Sequence, residues 1–124
     1  MVPQAKNKRI LIIENDDSIL NVIEEALNYE GYEVNGRLET PDIFPLIEQY
    51  QPDIVILDYL LNGINGGEIC HQIKVNSSTR QLPVIIMSAY PRVLQSLGDY
   101  GCNKFIPKPF DLSELVDNIK SLTQ

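Results

Sequence analysis

Short apolar runs alternate with amphipathic stretches along the chain. Five runs have the pattern of buried strands, at residues 9–13, 32–37, 53–57, 82–87 and 104–106. After each run, apolar residues recur every three or four positions, which predicts helices at residues 17–30, 41–50, 67–75, 91–100 and 111–122. This alternation favours parallel strands joined by right-handed crossovers. We therefore expect an α/β fold of three layers, with helices on both faces of the sheet.

Residues suited to helix ends flank the first two predicted helices. Asp17 or Ser18 is available to cap the first helix, and Gly31 to stop it. Pro41 suits the first turn of the second helix. Because Pro45 lacks a backbone N–H, this second helix is either short or late in starting.

Length and charge restrict the class of protein. The 124 residues fit one domain, and a hydrophobic content of 44% is typical of a globular core. Ten basic residues against seventeen acidic ones give a net charge of -7, which argues against direct binding of nucleic acid. The apolar runs are far shorter than the roughly twenty residues of a membrane-spanning helix. The first residues also lack the pattern of a secretory signal.

Cysteine and histidine usage narrows the chemistry. Cys70 and Cys102 lack the spacing of metal ligands, and His71 is the only histidine. Zinc sites that need several histidines are therefore excluded, and a histidine-dependent catalytic triad is disfavoured. Two reduced thiols in a cytoplasmic protein without membrane contact are the expectation.

Polar residues stand where the predicted strands end. They are Glu14 and Asn15 after the first strand, Asp58 after the third, Ser88 after the fourth and Lys108 after the fifth. The functional crevice of a parallel sheet lies beyond these carboxyl ends, so the side chains should converge. Carboxylate and amide oxygens suit Mg²⁺, and a carboxylate can accept a phosphoryl group as an aspartyl phosphate. A cation and a lysine would neutralise the phosphoryl oxygens during transfer.

Four sequence motifs resemble one known family. They are ILIIENDDSIL at residues 10–20, PDIVILDYLLNGING at 52–66, PVIIMSA at 83–89 and KFIPKPF at 104–110. In this order they resemble the receiver domains of two-component response regulators, the CheY-like superfamily. The resemblance covers residues 9 to about 122 and implies a flavodoxin-like (βα)5 fold, with a five-stranded parallel sheet of order 2-1-3-4-5. We expect a flexible N-terminal tail at residues 1–8 and a receiver domain at residues 9–124.

The resemblance also implies roles for residues near the third strand. Asp58 would accept a phosphoryl group from a histidine kinase or a phosphotransfer protein. Glu14 and Asn15 would hold Mg²⁺ (or Mn²⁺) together with Asp58 and the backbone carbonyl of Leu60. Outside its own phosphorylation and dephosphorylation, the chain would not be an enzyme, and it would bind no organic cofactor.

Further implied roles concern the switch between two states. Ser88 and Lys108 would contact phosphoryl oxygens, and the Lys108-Pro109 peptide bond would be cis. Ser88 and Phe105 would be switch residues, and Tyr90 would influence the lifetime of the phosphoryl group. The surface that changes would comprise the helix at residues 91–100, the fifth strand and the last helix. It would contact an unidentified downstream protein or form a weak dimer of an otherwise monomeric chain.

Several positions depart from the family pattern. Asn15 stands where a second acid is usual, which predicts weaker Mg²⁺ binding. Asn62 replaces a usual proline, and the interval from Ser88 to Phe105 is shorter than is typical. These departures leave an alternative open, a receiver-like docking module that works without phosphorylation. A phosphatase of the haloacid dehalogenase type is rejected because Leu60 occupies the position of its second aspartate. Whether the chain acts alone or belongs to a longer regulator also stays open.

Overall fold

The predicted strands and helices recur in the computed structural model, which describes residues 7–61, 64–90 and 101–124. The strands are β1 (Arg9–Ile13), β2 (Glu33–Arg37), β3 (Ile54–Asp58), β4 (Val84–Ser88) and β5 (Lys104–Pro107). The described helices are α1 (Asp17–Tyr29), α2 (Ile43–Tyr50), α3 (Gly66–Val75) and the last helix (Leu112–Leu122). The predicted helix at residues 91–100, most of the predicted tail and Asn62 lie outside the described residues.

All strand pairs in the sheet are parallel, and the strand order is β2-β1-β3-β4-β5. This order confirms the flavodoxin-like fold. It places β3 between β1 and β4, with Ile13 beside Leu57 and Asp58 beside Met87. The carboxyl ends of β1, β3, β4 and β5 therefore lie along one edge of the sheet.

Successive side chains of each central strand point to opposite faces of the sheet. In β1, Ile10 and Ile12 pack in a core cluster with residues of α1 and the last helix. Leu11 and Ile13 pack in a second cluster with residues of α2 and α3. Both faces are therefore covered, which explains why the strand is a continuous apolar run rather than an alternating one.

The cap of α1 and the start of α2 differ from the sequence prediction. Asp16, not Asp17 or Ser18, caps α1, because its backbone is extended and its Oδ1 accepts hydrogen bonds from the N–H groups of Ser18 and Ile19. Helix α2 starts at Ile43 rather than at residue 41, with Asp42 as its N-cap. Its late start leaves Pro45 in the first turn, where a backbone N–H has no intrahelical acceptor to lose.

The two cysteines are thiols that pack against the core. Cys70 on α3 is fully buried, and this burial raises the pKa of its thiol to about 12. Burial also raises the pKa of the half-buried Cys102. Both side chains are therefore protonated near neutral pH and act as apolar packing groups.

In the parts of the chain that the structure describes, none of the helices has the length and apolar character needed to cross a bilayer.

Candidate functional site

Asp58 is the last residue of β3 and lies at the centre of the carboxyl edge of the sheet. Its side chain is almost fully buried, with 5% of the residue exposed. The backbone around it is fixed, because the N–H of Tyr59 donates to the carbonyl of Met87 at 2.8 Å. The N–H of Leu60 donates to Oδ1 of Asp58 at 3.3 Å. These contacts hold one carboxylate oxygen and leave the other facing Lys108.

Glu14 follows β1 directly and is completely buried. Its Oε1 accepts from Nζ of Lys108 at 2.6 Å, and its Oε2 accepts from the backbone N–H of Asp16 at 3.1 Å. Its own N–H donates to the carbonyl of Arg37 at 3.0 Å, which continues the ladder between β1 and β2. Both carboxylate oxygens of Glu14 are therefore held by groups of the protein.

Lys108 follows β5 and brings a positive charge to the two carboxylates. Its Nζ lies 2.6 Å from Glu14 and 3.4 Å from Oδ2 of Asp58. The backbone N–H of Lys108 donates to the carbonyl of Ser88 at 2.8 Å. The Lys108-Pro109 bond is cis, as the family resemblance implied. Residues 94 positions apart along the chain are thus joined by a short ion pair.

The charges of the site are unbalanced. Burial and a hydrogen bond with Asp58 raise the pKa of Glu14 to about 7, although the ammonium of Lys108 acts in the opposite direction. Two neighbouring carboxylates share a single lysine, so the group carries an excess of negative charge when both are ionised. A bound cation would relieve this excess.

A shallow pocket of about 270 Å³ opens beside Asp58. Its lining residues come from α1 and from the segments that follow or end β1, β3, β4 and β5: Asn15, Asp16, Ile19, Asp58, Leu60, Ser88, Ala89, Tyr90 and Lys108. Ser88 is 2% exposed, and its Oγ accepts from the N–H of Tyr90 at 3.0 Å. The structure therefore brings most of the predicted site residues together, with Glu14 lying behind Lys108.

The two predicted aromatic residues differ in their position relative to the pocket. Phe105 on β5 is half-buried and packs against the core cluster of α2 and α3, outside the pocket lining. Tyr90 borders the pocket but is 52% exposed. The functions predicted for these two aromatic residues rest on their position in the chain.

The oxygen donors of the pocket fit a hard divalent cation with an incomplete protein shell. Asp58 offers a carboxylate, Asn15 a side-chain amide and Leu60 a backbone carbonyl, and all three residues line the same pocket. Among the residues that the structure describes, no group of three or more His, Cys, Asp or Glu side chains could hold a metal ion. The donor set suits Mg²⁺ in kind, with Asp58 as its carboxylate and two neutral oxygen donors beside it.

Gly66 supports the site, although its role was not predicted from the sequence. A Cβ atom at Gly66 would lie 2.3 Å from the backbone oxygen of Asp58. The N–H of Gly66 donates to the carbonyl of Tyr59 at 2.8 Å, which closes the loop over the end of β3. The run Asn65-Gly66-Gly67 was the available signal, since a glycine in a strand-to-helix loop often marks close backbone approach.

Comparisons with known proteins identify the family of this chain. The family model described as "Response regulator receiver domain" matches residues 10–120. Response regulator ArlR of Staphylococcus aureus is 34% identical over 116 residues, which are 92% of this chain and 52% of that protein. The chain therefore spans about half the length of the curated relatives it matches.

Solved structures show the same similarity. A CheY-like receiver domain protein from Methanospirillum hungatei has a TM-score of 0.84 at 25% identity, with 94% of this chain and 93% of that chain covered. Response regulator TrrA of Thermotoga maritima, in complex with Mg²⁺-BeF, has a TM-score of 0.83 at 27% identity. That similarity covers 93% of this chain and 98% of TrrA.

Proposed function

Because the chain belongs to the response regulator receiver domain family, we propose that it is a signalling switch that accepts a phosphoryl group on Asp58. Receiver domains are signalling switches rather than conventional enzymes. The observation that carries the proposal is the position of Asp58, a buried carboxylate beside a pocket that Ser88 and Lys108 also line. These three residues come from the ends of β3, β4 and β5.

In the proposed reaction, a phosphoryl group moves from an oxygen or nitrogen atom of the donor to Asp58. A carboxylate oxygen of Asp58 forms a bond to phosphorus, while the bond from phosphorus to the donor atom breaks and the donor keeps the electron pair. Lys108 lies 3.4 Å from Asp58, close enough for its ammonium to bind a phosphoryl oxygen. The hydroxyl of Ser88 would donate a hydrogen bond to another phosphoryl oxygen.

The proposed cofactor is Mg²⁺, or Mn²⁺ in its place. A divalent cation in this pocket would neutralise charge on the phosphoryl oxygens. Asp58, the amide of Asn15 and the carbonyl of Leu60 would hold it, and Glu14 would add negative charge from behind Lys108. The support comes from the oxygen donors and from two neighbouring carboxylates, Glu14 and Asp58, that share the single ammonium of Lys108.

The proposed partners are a donor and a target. A histidine kinase or a phosphotransfer protein would supply the phosphoryl group, and a downstream protein would respond to the changed surface. We assign that response to Ser88, Phe105 and the surface of β5 and the last helix; residues 91–100, which the sequence analysis included, lie outside the described residues. Direct nucleic acid binding is not proposed, because the net charge is -7.

A docking module that works without phosphorylation is the second candidate. The described residues hold no group of three His, Cys, Asp or Glu side chains that could bind a metal ion. Asn15 contributes only a neutral amide to the site. Such a module would bind its partner through the same fold with or without a phosphoryl group. Retention of Asp58, Ser88 and Lys108 favours the switch.

Intact mass spectrometry tests the proposal. The protein is incubated with acetyl phosphate and Mg²⁺, with Asp58→Asn and Asp53→Asn as matched variants. We expect one added phosphoryl group in the wild type and in Asp53→Asn, and none in Asp58→Asn or after chelation of Mg²⁺. A folded wild-type protein without an adduct would favour the docking module.

A further inference from the structure

Strand β2 forms one edge of the sheet. The strand order places it beside β1 alone, and its residues Glu33–Arg37 are all half-buried or exposed. An edge strand presents backbone N–H and C=O groups that can pair with another strand. We propose that β2 pairs in antiparallel orientation with β2 of a second copy of this chain, which joins the two sheets into one. This surface lies at the opposite edge of the sheet from β5, and the inference is independent of phosphorylation.

The backbone groups of β2 alternate between β1 and the outer edge. The N–H of Glu33 donates to the carbonyl of Lys8 at 2.9 Å, and the carbonyl of Arg37 accepts from the N–H of Glu14 at 3.0 Å. Because successive residues of a strand direct these groups to opposite sides, Val34 and Gly36 direct theirs to the outer edge. Two facing residues of an antiparallel pair exchange two hydrogen bonds. Val34 and Gly36 are therefore the residues through which β2 pairs with a new strand.

The charges of β2 select one register. Glu33 begins the strand and Arg37 ends it, and both residues are exposed. When Val34 of one copy pairs with Gly36 of the other, each Glu33 lies directly opposite an Arg37, and opposite charges in this position stabilise the pair. Pairing Val34 with Val34 places Glu33 opposite Asn35 instead. A parallel, in-register pair sets like charges side by side. The strand is thus complementary to itself in one antiparallel register, as a two-fold symmetric interface requires.

The charged side chains of β2 remain accessible to a second copy. Glu33 binds Nε of Arg9 through Oε2 at 2.9 Å, but 52% of the Glu33 side chain is exposed. The Nε of Arg37 donates to Oδ1 of Asn35 at 3.2 Å, which lays the side chain along the strand. Each end of β2 can therefore keep its contact within the chain and also form an ion pair with the second copy.

Gly36 lies on the other face of β2, which α1 covers. A Cβ atom at Gly36 would lie 2.8 Å from Oε2 of Glu24 and 2.9 Å from Cδ1 of Leu20, so the packing of α1 explains the glycine. In the proposed register, Val34 of the second copy lies opposite Gly36. A β-branched side chain thereby occupies the position across from a residue that has no side chain of its own.

The dimer is weak and reversible. A strand of five residues buries much less than the roughly 1,200–2,000 Å² of a stable interface. The net charge of -7 on each copy also opposes association. Dimers therefore form in proportion to protein concentration, and small changes of charge at the edge have a measurable effect.

Sedimentation velocity of the full chain over a wide range of protein concentration tests the inference. Arg37→Glu and Glu33→Arg each place like charges opposite one another, and each should raise the dissociation constant of the dimer by about tenfold or more. An equimolar mixture of the two variants should associate again, because every glutamate then faces an arginine. Urea unfolding shows that both variants are folded, since exposed ion pairs such as that of Glu33 with Arg9 contribute little to stability.

Asp117→Arg, at an exposed position of the last helix, is the control for changed charge and should dimerise at least as well as the wild type. Asp58→Asn should also dimerise as the wild type, so a failure of the proposed function leaves this result unaffected. A wild-type chain that is monomeric at every concentration would overturn the inference. So would variants of Glu33 and Arg37 that dimerise normally, or a mixture of them that stays monomeric.

Amide hydrogen exchange, followed by NMR at low and high protein concentration, tests the backbone pairing separately. The N–H groups of Val34 and Gly36 should exchange more slowly at the concentration where the chain is dimeric, because they gain hydrogen-bond partners. The N–H of Asn35 already faces β1 and should change little. Slower exchange in the last helix with no change in β2 would place the dimer contact elsewhere and contradict the proposal.

Discussion

At the scale of single residues, the chemistry of the site depends on Glu14, Asp58 and Lys108. A buried carboxylate is costly unless it is paired, and Glu14 meets this requirement with Lys108 at 2.6 Å. Asp58 lies farther from the same ammonium, at 3.4 Å. Lys108 is therefore positioned by Glu14 while it remains within reach of groups bound to Asp58.

Gly66 allows a test of how tightly the loop closes on Asp58. In Gly66→Ala, the new Cβ would meet the backbone oxygen of Asp58 at 2.3 Å, so the backbone must shift. We expect the free energy of unfolding to fall by about 1–3 kcal/mol, the usual cost of overpacking. Urea titration measures the change. Gln72→Ala, at an exposed position of α3, should stay within about 0.5 kcal/mol of the wild type. A Gly66→Ala protein of wild-type stability would refute the close approach.

Sequence reasoning located most pocket residues because strand ends determine which side chains meet. Asp58 and Ser88 are the last residues of their strands, and Lys108 directly follows β5, so backbone topology alone places them at one edge. The pairing of Glu14 with Lys108 was not predictable, because it depends on side-chain distances across the sheet. The need for Gly66 was missed for the same reason, since two backbone segments approach each other there.

At the scale of elements, helices pack on both faces of the sheet. Strand bounds followed the apolar runs to within a few residues, because a run buried on both faces leaves little freedom of register. The cap of α1 was predicted wrongly, although its first helical residue was predicted correctly. The cap of α1 moved to Asp16 because the residue before a helix must be extended, and such local backbone geometry is not visible in an apolar pattern.

Leu115 tests the contribution of the last helix to the core. It is fully buried and packs in the cluster that contains Ile10 and Ile12. We expect Leu115→Ala to lower the free energy of unfolding by about 2–5 kcal/mol, as lost burial and a remaining cavity both destabilise the fold. Thermal or urea unfolding reports the loss. Asp117→Ala, exposed on the same helix, is the control, and equal losses in both variants would contradict the assigned packing.

At the scale of the whole molecule, the strand order connects distant segments into one site. The order β2-β1-β3-β4-β5 puts Asp58 between the ends of β1 and β4, and Lys108 reaches it from the edge strand. Any ligand held by these residues bridges several elements at once. Binding should therefore stabilise the fold as a unit.

Ligand-dependent unfolding measures this effect. With Mg²⁺ and beryllofluoride at a concentration about 100 times the dissociation constant, the free energy of unfolding should rise by about 2.7 kcal/mol. Denaturant titration with circular dichroism detection checks the value. The increase should vanish in Asp58→Asn, which lacks the carboxylate that we propose as the binding group for beryllofluoride, a mimic of the phosphoryl group. An equal increase in that variant would place the ligand elsewhere on the molecule.

The measurement that tests the central claim most directly is chemical trapping of the phosphorylated residue. After reaction with acetyl phosphate and Mg²⁺, borohydride reduces an acyl phosphate to an alcohol, and deuterated borohydride marks the position. Peptide mass spectrometry should find this conversion of aspartate to homoserine at residue 58 and at no other acidic residue. A mark at Glu14 or Asp16, or no mark in a folded protein, would contradict the assignment of Asp58 as the acceptor.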